Sequence, residues 1–150
     1  MRSLLSVLIV FIGVLPASAD WCGEREAETV FHCQFQNSSR EVWVCRHEDD
    51  SFHYAYGKPG QTPELELRHP KDRVVYTPWN GIGSAFWARL AFDNGSHLYE
   101  VGYSARKDGR APVEGFLDVF ERGNETPIAS KTCRPGTVET RLEELWDVFN

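Results

Sequence analysis

The chain has 150 residues, 41% of them hydrophobic, and carries 16 basic against 22 acidic residues, a formal net charge of −6. This length fits one domain with a sizeable hydrophobic core. The acidic balance disfavours nucleic acid and anionic membrane surfaces as partners, because their phosphates would be repelled. It favours a basic protein partner instead.

The first nineteen residues have the three parts of a secretory signal peptide. Arg2 precedes an apolar run over residues 4–15, and a stretch of Pro, Ala and Ser then ends at Ala19. The apolar run is too short to span a bilayer, so no membrane anchor is expected. We predict cleavage after Ala19, a periplasmic or secreted location, and a single β-rich domain over residues 20–150. Loss of Arg2 leaves 15 basic and 22 acidic residues, a net charge of −7.

All four cysteines lie in the predicted mature domain, and an even number in an exported chain predicts two disulfides. Residues 31–35 and 41–45 alternate in polarity and predict a β-hairpin. One register of this hairpin places Cys33 opposite Cys45 on the same face. Four cysteines permit three connectivities, and this register favours the following pairs: Cys33–Cys45 and Cys22–Cys133.

A second hairpin is predicted at Asn94-Gly95, a dipeptide that suits a type I′ turn because both central positions need positive φ. Folding the chain there sets Arg89 opposite Glu100 as a cross-strand ion pair. The apolar residues of the two strands then share one face, which carries Phe86, Ala88, Leu90, Phe92, Tyr99, Val101 and Tyr103. We expect this face to lie in the core.

Further short strands are separated by clusters of Gly, Pro, Asn and Asp, and are predicted at residues 52–56, 65–68, 73–76, 113–120 and 127–131. Such spacing is typical of an antiparallel sandwich or barrel-like sheet. Near the end of the chain, Thr137 can cap a short helix. The helix is indicated by apolar residues at helical spacing, namely Val138, Leu142, Leu145, Trp146 and Phe149. The predicted fold class is therefore all-β with a C-terminal helix and two disulfides.

The histidines and serines do not form a recognisable catalytic or metal-binding motif. The five histidines are scattered, and no two lie on one helical face beside a Glu. Neither Ser84 nor Ser104 lies in a G-x-S-x-G elbow. No catalytic residue, metal or cofactor is therefore predicted. Three N-x-S/T sequons, which would accept glycans in a eukaryotic host, fall in predicted turns at Asn37, Asn94 and Asn124.

Two segments are candidates for contact with a partner. The loop over residues 77–84 places a large aromatic side chain between Pro and Gly, and aromatic residues often dominate the binding energy of an interface. The turn between the second and third predicted strands is strongly acidic and could steer a basic partner. The candidate contact residues are Trp79, Asn80, Gly81 and Ser84 in the loop, and Glu48, Asp49 and Asp50 in the turn.

With its signal peptide, acidic mature domain, two predicted disulfides and aromatic hairpins, the chain resembles small exported β proteins of Gram-negative bacteria that neutralise cell-wall hydrolases. These are periplasmic lysozyme inhibitors and immunity proteins of interbacterial toxins. One lysozyme-inhibitor family has the signature Ser-Gly-x-x-Tyr, whereas this chain has Gly102-Tyr103-Ser104. No inhibitory residue is therefore carried over.

The resemblance implies a binding protein that blocks the active-site cleft of a basic hydrolase with a loop, and that is not itself an enzyme. Two alternatives stay open. A small periplasmic enzyme would need a pocket in which His53 or His97 meets an acid. A glycan- or ligand-binding module would use exposed Trp and Tyr faces.

Overall fold

The computed structural model describes residues 19–150, which form two five-stranded antiparallel sheets. The predicted signal peptide lies outside the described residues apart from Ala19. The mostly antiparallel β fold predicted from the sequence is confirmed.

The first sheet consists, in spatial order, of β10 (Glu139–Thr140), β1 (Glu28–Gln34), β2 (Glu41–Arg46), β3 (Ser51–Gly57) and β4 (Leu65–Pro70). Its inner face is apolar because every second residue of a strand points to that face, and most of these residues are hydrophobic. The outer face is partly covered by the N-terminal segment, whose Trp21 ring lies edge-on to His53 at 4.8 Å. Strand β3, which lies between β2 and β4, is therefore buried on both faces for most of its length.

The second sheet consists, in spatial order, of β5 (Val74–Pro78), β6 (Ala85–Asn94), β7 (His97–Arg106), β8 (Glu114–Glu121) and β9 (Ala129–Thr132). Together with β3 and β4, these strands confirm the five short strands predicted between residues 52 and 131. The Phe116 ring of β8 packs over Gly102 of β7, where a Cβ atom would lie 2.4 Å from the ring. Any side chain at this position would require the ring to move.

The two sheets pack face to face as a sandwich around one hydrophobic core. Tyr54 of β3 reaches across to the other sheet, where its ring centroid lies 5.5 Å from that of Phe92 and 5.8 Å from that of Tyr99. The inner face predicted for the β6–β7 hairpin supplies much of this core, since Ala88, Leu90, Phe92 and Val101 are at most 1% exposed.

The C-terminal helix is shorter than predicted and begins later. Residues 139–140 instead form strand β10, followed by a 3₁₀ helix (Leu142–Leu145) and a single α-helical turn, α1 (Trp146–Phe149). Thr137 does not cap it, because its hydroxyl donates to the backbone carbonyls of Gln34 and Arg134. Apolar spacing was still informative, since Leu142 and Leu145 are buried in the core.

The β6–β7 hairpin is confirmed, but its predicted register is wrong by two residues. Leu90 pairs with Val101, and Asn94 pairs with His97, so the turn residues are Gly95 and Ser96. Gly95 has a φ of 65° and lies at the first central position, as in a type II′ turn. A shift of two residues keeps every side chain on its predicted face.

The predicted disulfide pairs are wrong: the bonds join Cys22 to Cys45 and Cys33 to Cys133. β1 and β2 pair in a register that sets Cys33 opposite Val42, three residues before Cys45, and beyond a β-bulge at Val30 Cys45 lies opposite Thr29. Residues three apart on a strand point to opposite faces, so Cys33 points into the core between the sheets and Cys45 points to the outer face. Two cysteines on opposite faces of a sheet cannot reach each other.

Candidate binding site

The inner face of the second sheet is covered at one end and open at the other. Along β6, Leu90 and Phe92 are fully buried, whereas Phe86, on the same face, is 44% exposed. The uncovered part forms an apolar groove of about 620 Å³. We call it the aromatic groove, since its lining includes Tyr76, Trp79, Phe86, Trp87, Tyr103 and Trp146.

The C-terminal segment forms one wall of the aromatic groove. Leu142 and Leu145 anchor this segment in the core, which leaves Glu143 and Trp146 facing the groove. Trp146 is 52% exposed. The sequence pattern placed Trp146 among the apolar residues of the predicted helix, and Glu143 and Tyr103 were not among the candidate contact residues. Helical spacing does not show which part of a core is left uncovered.

The 77–84 loop lies at the rim of the groove. Its Trp79 folds against the protein, where the indole Nε1–H donates to the carbonyl oxygen of Ile82 at 2.9 Å and the ring meets Phe86 edge-on at 5.0 Å. The Asn80 side-chain oxygen accepts a hydrogen bond from the Ile82 backbone N–H at 3.1 Å. Ile82, 75% exposed, is the apolar side chain that the loop projects into solvent.

Two glycines allow the loop to turn, since Gly81 and Gly83 have φ angles of 85° and 96°. Ser84 ends the loop, and its carbonyl accepts a hydrogen bond from the Lys107 backbone at 2.9 Å. All four predicted loop residues therefore belong to one exposed structural unit, but Trp79 forms a wall of the groove and Ile82 occupies the tip.

The electrostatics of the groove centre on Glu143. Burial raises the pKa of Tyr103 to about 12, and the nearby charge of Glu143 adds to the shift. The pKa of Tyr76 is raised by burial and again by Glu143. Both phenols are protonated at neutral pH, as an unperturbed tyrosine also is, so they can donate hydrogen bonds in the groove.

The predicted acidic turn is largely neutralised by the protein itself. Asp49 accepts hydrogen bonds from the Ser51 backbone and hydroxyl, at 3.0 and 2.6 Å, and lies 3.6 Å from the Arg68 guanidinium. Asp50 pairs with Arg46 at 2.6 Å. Of the three acids, Glu48 has the charge that is least compensated.

The acidic turn and the 77–84 loop lie at opposite ends of the sandwich. Ser51, at the end of the turn, pairs with Pro70, and the neighbouring His69 ring nitrogen bonds to the Asp93 carbonyl near the end of β6. The loop enters β6 at its other end, about 30 Å away along the strand. This exceeds the Debye length of about 8 Å at physiological salt, so the charges of the turn are largely screened from the loop.

Beside the acidic turn, an imidazole and a carboxylate form the pair that an enzyme would need. His53 Nε2 lies 2.6 Å from a Glu66 carboxylate oxygen, next to a polar pocket that also includes His47 and Arg68. Among the described residues, His53 Nδ1 and His47 Nε2 are buried and have no hydrogen-bond partner.

The buried imidazoles predict a loss of stability in acid. Burial lowers the pKa of His53, with the cations of His47 and Arg68 adding to the effect and Glu66 opposing it. Burial and Arg68 also lower the pKa of His47, against Asp49. The unfolded chain then binds protons more readily than the folded one, so stability is complete above the ordinary His value of 6.5 and falls below it.

Urea unfolding at pH 7.5 and 5.5 checks this expectation. The variant with His47→Gln and His53→Gln should lose less stability between these two pH values than the unmodified protein, and each single variant should be intermediate. A double variant with the same pH dependence as the unmodified protein would contradict the assignment.

The described residues also bear on metals and on location. No group of three or more His, Cys, Asp or Glu in residues 19–150 is arranged to hold a metal ion. In the same part of the chain, no helix is both long and apolar enough to cross a membrane. Two disulfides indicate an oxidising, extracytoplasmic environment.

Comparison of the chain with protein-family models, with curated proteins and with solved structures found no match.

Proposed function

We propose that this protein is an exported binding protein that neutralises a basic cell-wall-degrading hydrolase, as a lysozyme inhibitor or as the immunity protein of an interbacterial toxin. The 77–84 loop enters the active-site cleft of the hydrolase, and the aromatic groove receives a segment of the same partner. The protein acts by occupying its partner in the periplasm or outside the cell.

The concentration of exposed apolar side chains at one end of the sandwich is the observation that carries this proposal. Three large hydrophobic residues with substantial exposure line the groove, namely Phe86, Val113 and Trp146, and Ile82 projects from the loop at the rim. Contiguous apolar surface on a folded domain marks binding sites more often than chance. Aromatic residues in a concave surface are also the usual centres of binding energy.

The scaffold suits a binder because little ordering is required on association. Cys33 links the first sheet to Cys133, just after β9 of the second sheet, and Cys22–Cys45 attaches the N-terminal segment to the outer face. Rigid presentation of a loop reduces the entropy lost on binding. The net charge of −7 for residues 20–150 favours encounter with a basic protein.

An inhibition assay tests the proposal at the loop tip. Basic cell-wall hydrolases, including lysozymes and amidases, are assayed for lysis of purified sacculi with the protein present. Ile82→Asp should weaken inhibition about 30-fold, because a charge replaces an apolar contact of roughly 2 kcal/mol at the interface.

Ile128→Asp is the matched control, because Ile128 is also exposed (57%) but lies just before β9, outside the 77–84 loop and the groove. It should leave inhibition unchanged. Equal inhibition by both variants would show that the loop is not part of the interface. Failure of the unmodified protein to inhibit any basic hydrolase would contradict the proposed function.

A further inference from the structure

An acidic side chain faces the aromatic groove without a basic partner. Within residues 19–150, no Lys, Arg or His forms a salt bridge with Glu143, whereas its neighbour Glu144 pairs with Arg141. Glu143 lies among Tyr76, Tyr103 and Trp146 in the groove lining. A carboxylate beside aromatic faces attracts a cation, because the ring faces carry partial negative charge.

The ammonium group of Lys107 already lies against two aromatic rings at the rim of the aromatic groove. The Lys107 Nζ lies 4.3 Å from the centroid of the Trp79 ring and 5.3 Å from that of Phe86. This internal cation occupies the Trp79 corner at the rim. The aromatic faces beside Glu143 have no such cation among the described residues.

The rest of the lining suits a long aliphatic side chain better than a sugar. Pro78, Ala88, Ala105, Val113 and Val138 contribute apolar surface, and Thr140 is one of the few polar residues there. A saccharide presents many hydroxyl groups, each of which loses water on burial and needs a partner. The methylene stem of an arginine needs only apolar contact, and its planar head can stack on rings and pair with a carboxylate.

We propose that the aromatic groove recognises an arginine side chain on an apolar segment of the partner, with the guanidinium stacked on the groove aromatics and paired with Glu143. This proposal rests on the proposed function and specifies the chemistry by which the partner is recognised. The negative charge of the whole domain favours the same class of ligand.

Nuclear magnetic resonance of the indole N–H groups provides a direct test that requires no hydrolase. The chain has five tryptophans. Three line the groove, namely Trp79, Trp87 and Trp146, and two, Trp21 and Trp43, lie in or against the cluster on the outer face of the first sheet. The probes are the blocked peptide Gly-Leu-Arg-Leu-Gly and its analogue with citrulline, a neutral isostere of arginine.

The arginine peptide should shift the three groove indole signals and leave the other two in place. The citrulline peptide should bind at least 10-fold more weakly. Glu143→Gln should weaken binding of the arginine peptide about 10-fold and change citrulline binding little. Glu125→Gln removes the same charge at an exposed position outside the groove lining, and it should leave both affinities unchanged.

Equal affinity for the two peptides, or an unchanged affinity after Glu143→Gln, would overturn arginine recognition. Shifts of the groove signals by chito-oligosaccharide but not by the arginine peptide would identify a glycan site and would also overturn it. Concentration-dependent shifts without any peptide would assign the groove to a second copy of this chain. Inhibition of a hydrolase that is lost with Ile82→Asp but not with Glu143→Gln would reject this inference and leave the proposed function standing.

Discussion

Replacing Cys33 and Cys133 together with Ala should lower the free energy of unfolding by about 4.7 kcal/mol, the largest stability effect that we expect from any single pair of residues. The bond closes a loop with a sequence separation of 100 residues. In the chain-entropy account, a crosslink stabilises the native state by restricting the unfolded chain, and the effect grows with the logarithm of loop length. Chemical denaturation followed by tryptophan fluorescence measures the change.

The second disulfide is the matched control for this prediction. Cys22 and Cys45 are separated by 23 residues, so replacing both with Ala should cost about 3.4 kcal/mol by the same relation. The smaller cost also fits its position, because it attaches a short N-terminal segment to the outer face. Equal costs for the two double variants, or a larger cost for the shorter loop, would contradict the entropic explanation.

Phe92→Ala should mainly reduce stability, whereas Phe86→Ala should mainly reduce binding, although both residues lie on the inner face of β6. Phe92 is fully buried, with its ring 5.5 Å from Tyr54, so truncation should cost about 3–5 kcal/mol of stability through lost contacts and a cavity. Phe86 lies in the open groove, so Phe86→Ala should lower the free energy of unfolding by less than about 1 kcal/mol. The same denaturation experiment compares the two variants.

For hydrolase binding we expect a clear effect of Phe86→Ala. Phe86→Ala should reduce hydrolase inhibition about 10-fold, because it removes an aromatic wall of the groove and the ring against which Trp79 rests. A similar loss of stability in both variants would show that the groove is closed in solution, and it would remove the structural basis of the proposed site.

Several features of the fold were predictable from local sequence. Alternation of Phe31, Cys33 and Phe35 with polar residues predicted the buried face of β1, and all three residues are indeed buried. Period-two alternation is sufficient here because a half-buried strand must place every second residue in the core. The β6–β7 hairpin was predicted in the same way, together with its apolar face.

Register and pairing were less predictable, for reasons that the structure makes clear. An Asn-Gly dipeptide indicates a turn, but the turn can start at either residue, and here it starts at Gly95. In the first hairpin, Cys33 lies opposite Val42 rather than Cys45, a shift of three residues from the predicted register. An odd shift reverses which residues share a face, and this separated Cys33 from Cys45.

The candidate site was also only partly predictable from the sequence. The sequence indicated the 77–84 loop, since an aromatic residue between Pro and Gly stands out locally. Tyr103, Glu143 and Trp146 were not selected as site residues, because they come from β7 and the C-terminal segment and line one groove with Trp79 only in the folded protein.

The sequence by itself determined the strand-rich class, the inward-facing residues and the presence of two disulfides, because each of these depends on neighbouring residues or on counting. Only the tertiary structure decided the disulfide pairs, the separation of the acidic turn from the loop, and the uncovered end of the core. These features depend on strand register and on how the two sheets pack against each other, and both are set by contacts between residues that are far apart in the sequence.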